Sequence, residues 1–299
     1  MPRGRSTITA VVLTLLVTAG LAGCGASAQG AGAWRAGEAS GTGGGTASAP
    51  ASIPPSVPAS AVGGASRSAT PTPHTPTPAP APVSHQCAKP TFTTSARDGG
   101  WETQGYFVYN NMWNDSVPLG PQTLYACAYN NWYVVSNQTN SAGAVKTYPN
   151  VHKDYHDAPI SSFHSITSSF AASSPRAGIY NVAFDIWTNG IATAGSTEVM
   201  IWTDNYKQVP AGRKTTSVTL NGQAYDAWKT TDNRYIALVA RTAMTSATID
   251  VLGVLTWTVA QGWLGATATL GQICYGVEIV DTAGASATFT FANFSLTSG

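Results

Sequence analysis

An all-β chain folded as a two-sheet sandwich is what this sequence predicts. Three observations carry that expectation. Short runs rich in Tyr, Val, Trp, Thr and Phe recur through residues 87–299, separated by clusters of Asn, Gly, Asp and Ser. Asn221-Gly222 lies between two such runs as a two-residue hairpin signal. One stretch alone, about 251–263, has a helical stripe, with Val251, Val254, Leu255 and Val259 on one side and Asp250 placed to cap it. Many strands and a single short helix suit two packed sheets.

In chain order, residues 1–23 read as a signal peptide. Arg3 and Arg5 form a basic start, and Ile8 to Ala19 form an apolar segment too short for a membrane span. Leu21-Ala22-Gly23-Cys24 is similar to a bacterial lipobox, in which Cys24 is lipidated and becomes the first mature residue. A competing reading is cleavage after Ala26-Ser27-Ala28, leaving Gln29 first. Both place the mature chain outside the cytoplasm, secreted or held on the outer face of the cell membrane. Residues 24–86 are nearly all Ala, Gly, Ser, Thr and Pro, a disordered linker that cannot bury enough apolar surface to offset its ordering entropy.

The folded domain is expected over 87–299. Strands are expected near 104–112, 123–129, 131–137, 162–170, 179–188, 196–203, 214–220, 223–229, 234–240, 246–250, 272–280 and 286–297. In an oxidising compartment, Cys87, Cys127 and Cys274 imply one pair and one left over. A Cys87–Cys127 bridge would tie down the start of the domain, and Cys274 reads as a packed residue within a strand.

Charge excludes several partners. Charged residues make up 10% of the chain, against a norm of about 25%. The formal net charge is +1, so nucleic acid and anionic membrane surfaces are not expected partners. Any membrane contact would run through the lipid at Cys24. A surface of Asn, Thr, Ser and Gly with 9 Trp and 12 Tyr suits neutral polymers. No HExxH, CxxC, phosphate-cradling loop or G-x-S-x-G elbow occurs, so no metal or organic cofactor is expected. His152, His156 and His164 are spaced i, i+4 and i+12, but Tyr148 to Pro159 reads as loop and not as a metal-binding helix, so these are expected to be solvated histidines.

The chemistry concentrates in a few strands. In Ser196 to Trp202, Glu198, Met200 and Trp202 alternate to one side, and Val199 and Ile201 to the core side. In Val182 to Trp187, Asp185 and Trp187 share a face opposite Phe184 and Ile186. Glu278 lies in a third apolar run, Cys274 to Val280, and the chain holds only four glutamates. Asn111 and Trp113 share a face in a fourth run. Carboxylates in apolar strands are costly without a role. Acids beside indole platforms suit a polysaccharide, whose CH faces stack on rings while two carboxyls flank the scissile bond. From these residues a glycosidase, a sugar-binding sandwich and a purely structural domain all stay open.

Residues 87–299 then resemble glycoside hydrolase family 12, the β-jelly-roll endoglucanases. The matching stretches, in the family's order, are Asn110 to Trp113, Val145 to Asn150, Phe184 to Trp187, Glu198 to Trp202 and Tyr275 to Glu278. The resemblance implies a concave substrate cleft and retaining cleavage of a β-1,4-glucan by a monomer. It makes Glu198 the nucleophile, Glu278 the acid/base and Asp185 an assisting acid. It makes Asn111, Trp113, Met200 and Trp202 substrate contacts lining the cleft. A retaining site further requires Glu198 ionised, with its charge raising the pKa of Glu278. Ile279-Val280 stand where the family often has Pro and an aromatic, so the substrate could extend to xyloglucan or mixed-linkage glucan.

Overall fold

The computed structural model describes residues 87–140 and 143–299. The signal peptide, Cys24 and the linker lie outside the described residues. The strands are β1 (Phe92–Thr94), β2 (Gly100–Thr103), β3 (Tyr106–Tyr109), β4 (Gln122–Ala128) and β5 (Asn131–Ser136). After them come β6 (Asn150–Pro159), β7 (Ile166–Ser173), β8 (Ile179–Thr188), β9 (Thr197–Tyr206) and β10 (Arg213–Leu220). The chain closes with β11 (Gln223–Lys229), β12 (Tyr235–Ala240), β13 (Ser246–Asp250), helix α1 (Val251–Ala260), β14 (Thr269–Asp281) and β15 (Ala287–Ser298).

These strands form two sheets. The smaller has the order β1-β4-β5-β15-β7-β13, and the larger β10-β11-β12-β9-β8-β14-β6-β3-β2. The expected sandwich is therefore what the chain makes. Neighbouring strands pair antiparallel except β9 and β12, which run parallel. The β10–β11 hairpin turns at Asn221 and Gly222, with φ of 49° and 78°. Those left-handed angles are why a turn of this kind selects Asn-Gly. Asp250 caps α1, accepting from Gly253 N at 2.8 Å.

The main core lies between the sheets. Trp132 and Phe291 of the smaller sheet stack at 4.0 Å. Phe294 stacks on Tyr275 of the larger sheet at 5.9 Å, and Tyr275 meets Phe184 at 4.5 Å. Such ring pairs each contribute about 0.5–1.5 kcal/mol beyond their burial. The Cys87–Cys127 disulfide, with Cα atoms 5.5 Å apart, fastens the chain ahead of β1 to β4.

The segment 148–159 departs from expectation. It is not a loop: Asn150–Pro159 is β6, hydrogen-bonded to β3 on one side and β14 on the other. His152 is a buried strand residue rather than a solvated one. Pairing on both edges supplies what the sequence pattern lacked. The short strands β1 and β2 also carry no period long enough to read.

Candidate active site

The central strands β9, β8 and β14 bring the three carboxylates to one face. Val199, Ile201, Phe184, Ile186, Tyr275, Val277 and Ile279 point into the main core. Alternation then turns Glu198, Asp185 and Glu278 to the other face. Across the ladders Asp185 lies opposite Met200 on β9 and opposite Cys274 on β14. Glu198 lies opposite Trp187, and Glu278 opposite Asn181. The glutamates thus approach diagonally, from either side of Asp185 along β8.

This face is a groove and not a flat solvent surface. It carries two small apolar clusters of its own. One joins Ala183, Met200, Trp202, Tyr235 and Ala237, and the other joins Tyr148, Cys274 and the half-buried Trp187. Among the described residues no further layer covers the face, so the sheet and its flanking loops must bend around these side chains. Met200 and Trp202 are wholly buried, with the indole N–H donating to the Met200 sulfur at 3.3 Å. They shape the floor from beneath rather than presenting surface to a ligand.

Burial governs the electrostatics. It pushes the Glu198 carboxyl well above the usual range, and the charges of Asp185 and Glu278 push it further. Burial and then Glu278 raise Asp185 well above its ordinary value. The Trp187 indole leans toward Asp185 and opposes that rise, although neither Trp187 Nε1 nor Asp185 Oδ1 completes a regular hydrogen bond. Glu278 is raised by burial but held back by two amide donors, Asn181 Nδ2 and Gln208 Nε2. No hydrogen bond reaches the Glu198 carboxylate among the described residues. The expected rise at Glu278 is present with burial as its first cause, and Glu198 is raised as well. Amide N–H groups favour an ionised partner, and only Glu278 has them.

The remaining expected residues come from the loop after β3. Asn111 is buried with φ 37°, a conformation Asn tolerates better than most residues. Its carbonyl accepts from Tyr148 N at 2.9 Å and from Thr147 Oγ1 at 3.0 Å, while its Oδ1 is buried without a partner. Tyr148 Oη in turn donates to Ala183 O on the groove floor at 3.0 Å. Trp113, two residues on, is 45% exposed, a large ring offered to solvent.

Four groove residues were not picked out from sequence. Tyr148 and Tyr235 face all three carboxylates, whose charges raise both phenols after burial. Asn181 was within reach, because it continues the period-two face of Ala183, Asp185 and Trp187. Gln208 lies in a loop and left no periodic signal. A cavity of about 200 Å³ between the β10–β11 turn and the start of α1 is lined by none of these groups.

Comparison with known proteins identifies the family. The model of the family described as glycosyl hydrolase family 12 matches residues 104–298. Endoglucanase S of Pectobacterium parmentieri is 26% identical over 206 residues, covering 58% of this chain and 75% of that protein. The inactive glycoside hydrolase XLP1 of Phytophthora nicotianae is 23% identical over 204 residues, covering 64% of this chain and 85% of that one. Among solved structures, the xyloglucanase domain of NopAA, a type three effector from Sinorhizobium fredii in complex with cellobiose, is 29% identical. It superposes with a TM-score of 0.63 over 71% of this chain and 100% of its own.

Proposed function

Because the chain belongs to glycosyl hydrolase family 12, we propose that it is a retaining endo-β-1,4-glucanase working by double displacement. One observation carries this reading: three carboxylates on adjoining central strands, each raised by burial and set among buried aromatics. In the first step a Glu198 oxygen attacks the anomeric carbon while Glu278 passes its proton to the departing glycosidic oxygen. A glycosyl ester on Glu198 results. In the second step Glu278 takes a proton from water as the water oxygen bonds to the anomeric carbon, breaking the ester and releasing Glu198 as a carboxylate. Asp185 faces Glu198 from the next strand as the assisting acid. Positive charge building on the sugar favours ionised Glu198, so in the productive complex the proton resides on Glu278. Asn111 and Trp113 bind sugar hydroxyls and a sugar face.

The enzyme acts outside the cytoplasm, released or anchored through Cys24, which mass spectrometry of the mature N-terminus distinguishes. Incubation with soluble cellulose derivatives, lichenan and xyloglucan tests the activity. New reducing ends that vanish in Glu198→Gln and Glu278→Gln are expected, and the panel assigns the preferred glucan. A second reading is a sugar-binding sandwich without turnover. It draws on the absence of a hydrogen bond to Glu198 and on the relative named inactive. Glucan binding with no new ends across a range of pH would select it.

A further inference from the structure

Gln208 holds Glu278 with one end of its amide and leaves the other end open. Its Nε2 donates to Glu278 Oε2 at 3.0 Å, while its own Oε1 is buried and has no partner. The opposite amide orientation would set two acceptors against each other, so the carbonyl must point away from the carboxylate. The backbone here is fixed: Asn205 Nδ2 donates to Gln208 O at 3.0 Å, and Pro210 is buried. Its neighbour Val209, by contrast, is 67% exposed at the rim. A buried acceptor without a donor is costly until something supplies an O–H or N–H. In a groove of carboxyls, amides and aromatic rings, a sugar hydroxyl is the fitting donor.

Both amide donors to Glu278, Asn181 Nδ2 and Gln208 Nε2, engage the same oxygen, Oε2. That leaves Oε1 as the oxygen free to carry a proton. We propose that Gln208 is a positioning residue that pins Glu278 Oε2, reserves Oε1 for proton transfer, and accepts a hydroxyl of the bound sugar through its own Oε1. This rests on the reading of the groove given above and deepens it. The other groups facing Glu278 are Asp185 on β8, Glu198 on β9, Tyr148 ahead of β6 and Tyr235 on β12. None of them is a cation, so the amides are its stabilising partners. Loss of the Gln208 donor therefore raises the pH at which Glu278 gives up its proton.

With only four glutamates in the chain, carboxyl-¹³C-glutamate NMR can follow each one. Glu278→Gln assigns the relevant resonance. In Gln208→Leu, and in the similarly sized, uncharged Gln208→Met should the first fail to fold, the Glu278 midpoint moves up. The alkaline limb of kcat/KM on cellotetraose moves with it. In a Glu198→Gln background, cellotetraose binds about tenfold more weakly without Gln208, the loss expected for one buried hydrogen bond. An unmoved Glu278 midpoint with lower turnover would mean a merely structural residue and would overturn the proposal. Unchanged cellotetraose binding would overturn its substrate half. If the wild type cleaves no glucan, the proposed function fails, while the NMR titration still decides the link between Gln208 and Glu278.

Discussion

Gly276 on β14 lies opposite Ala183 on β8, and this pair of the smallest side chains separates Glu278 from Asp185. A Cβ at Gly276 would sit 2.1 Å from the backbone oxygen of Pro149 and 2.7 Å from Asn150 Cβ. The close approach of β6 therefore requires glycine, two residues before the proposed acid. Gly276→Ala must displace backbone, an overpacking worth about 1–3 kcal/mol. A thermal melt should show a loss of several degrees. Activity should fall by more than that loss accounts for, because Glu278 moves with its strand. A variant with unchanged stability and turnover would mean that β6 yields easily.

The carboxylate cluster sets a stability profile. The folded carboxyls of Asp185, Glu198 and Glu278 are raised, so their contribution to stability is fully present below the unfolded value, about 4. It is lost as pH rises through the raised folded values. His152 is the opposite case, pushed down to about 4 by burial. Its contribution is present above the unfolded value, about 6.5, and is lost as pH falls toward 4. Glu198→Gln should therefore raise the melting temperature at pH 7 while abolishing turnover, and the gain should shrink toward pH 4. An equal gain at both pH values would show that folding does not raise the pKa of Glu198.

Trp113 and Trp202 should separate binding from folding. Trp113→Ala removes an exposed ring and should leave stability within about 0.5 kcal/mol, while raising KM on polymeric glucan severalfold. Trp202→Ala opens a cavity beneath the floor and should cost about 3–5 kcal/mol. Urea melts and kinetics on the same samples check both. A large stability loss in Trp113→Ala would move that ring out of the groove.

Reduction of the Cys87–Cys127 bridge should destabilise the domain. It spans 40 residues, and constraint of the unfolded chain over such a loop amounts to about 4 kcal/mol. A denaturant midpoint unchanged by reductant would contradict this.

Much of the fold and of the groove was legible in the sequence, for physical reasons. The alternation in Val182 to Trp187 and in Glu198 to Trp202 reports strands with one face in the core, and it put Asp185 and Glu198 on the right face. Asn221-Gly222 and Asp250 declared a turn and a cap through local backbone chemistry alone. β6 was hidden because Lys153 interrupts the core-side alternation of Val151 and Tyr155, and its strand state comes from partners far away in sequence. The burial of Met200 and Trp202 depends on how the sheet curls, which no single strand encodes. Gln208 depends on where a loop returns, and the amide pair on Glu278 Oε2 depends on that same return.

The central claim is that Glu198 forms a covalent bond with the substrate. Incubation with a 2-deoxy-2-fluoro cellobioside bearing an activated leaving group, followed by peptide mass spectrometry, tests it most directly. The account predicts one fluorocellobiosyl unit on the peptide containing Glu198, absent in Glu198→Gln. Turnover of natural glucan with no adduct, or an adduct on Glu278 or Asp185, would contradict it.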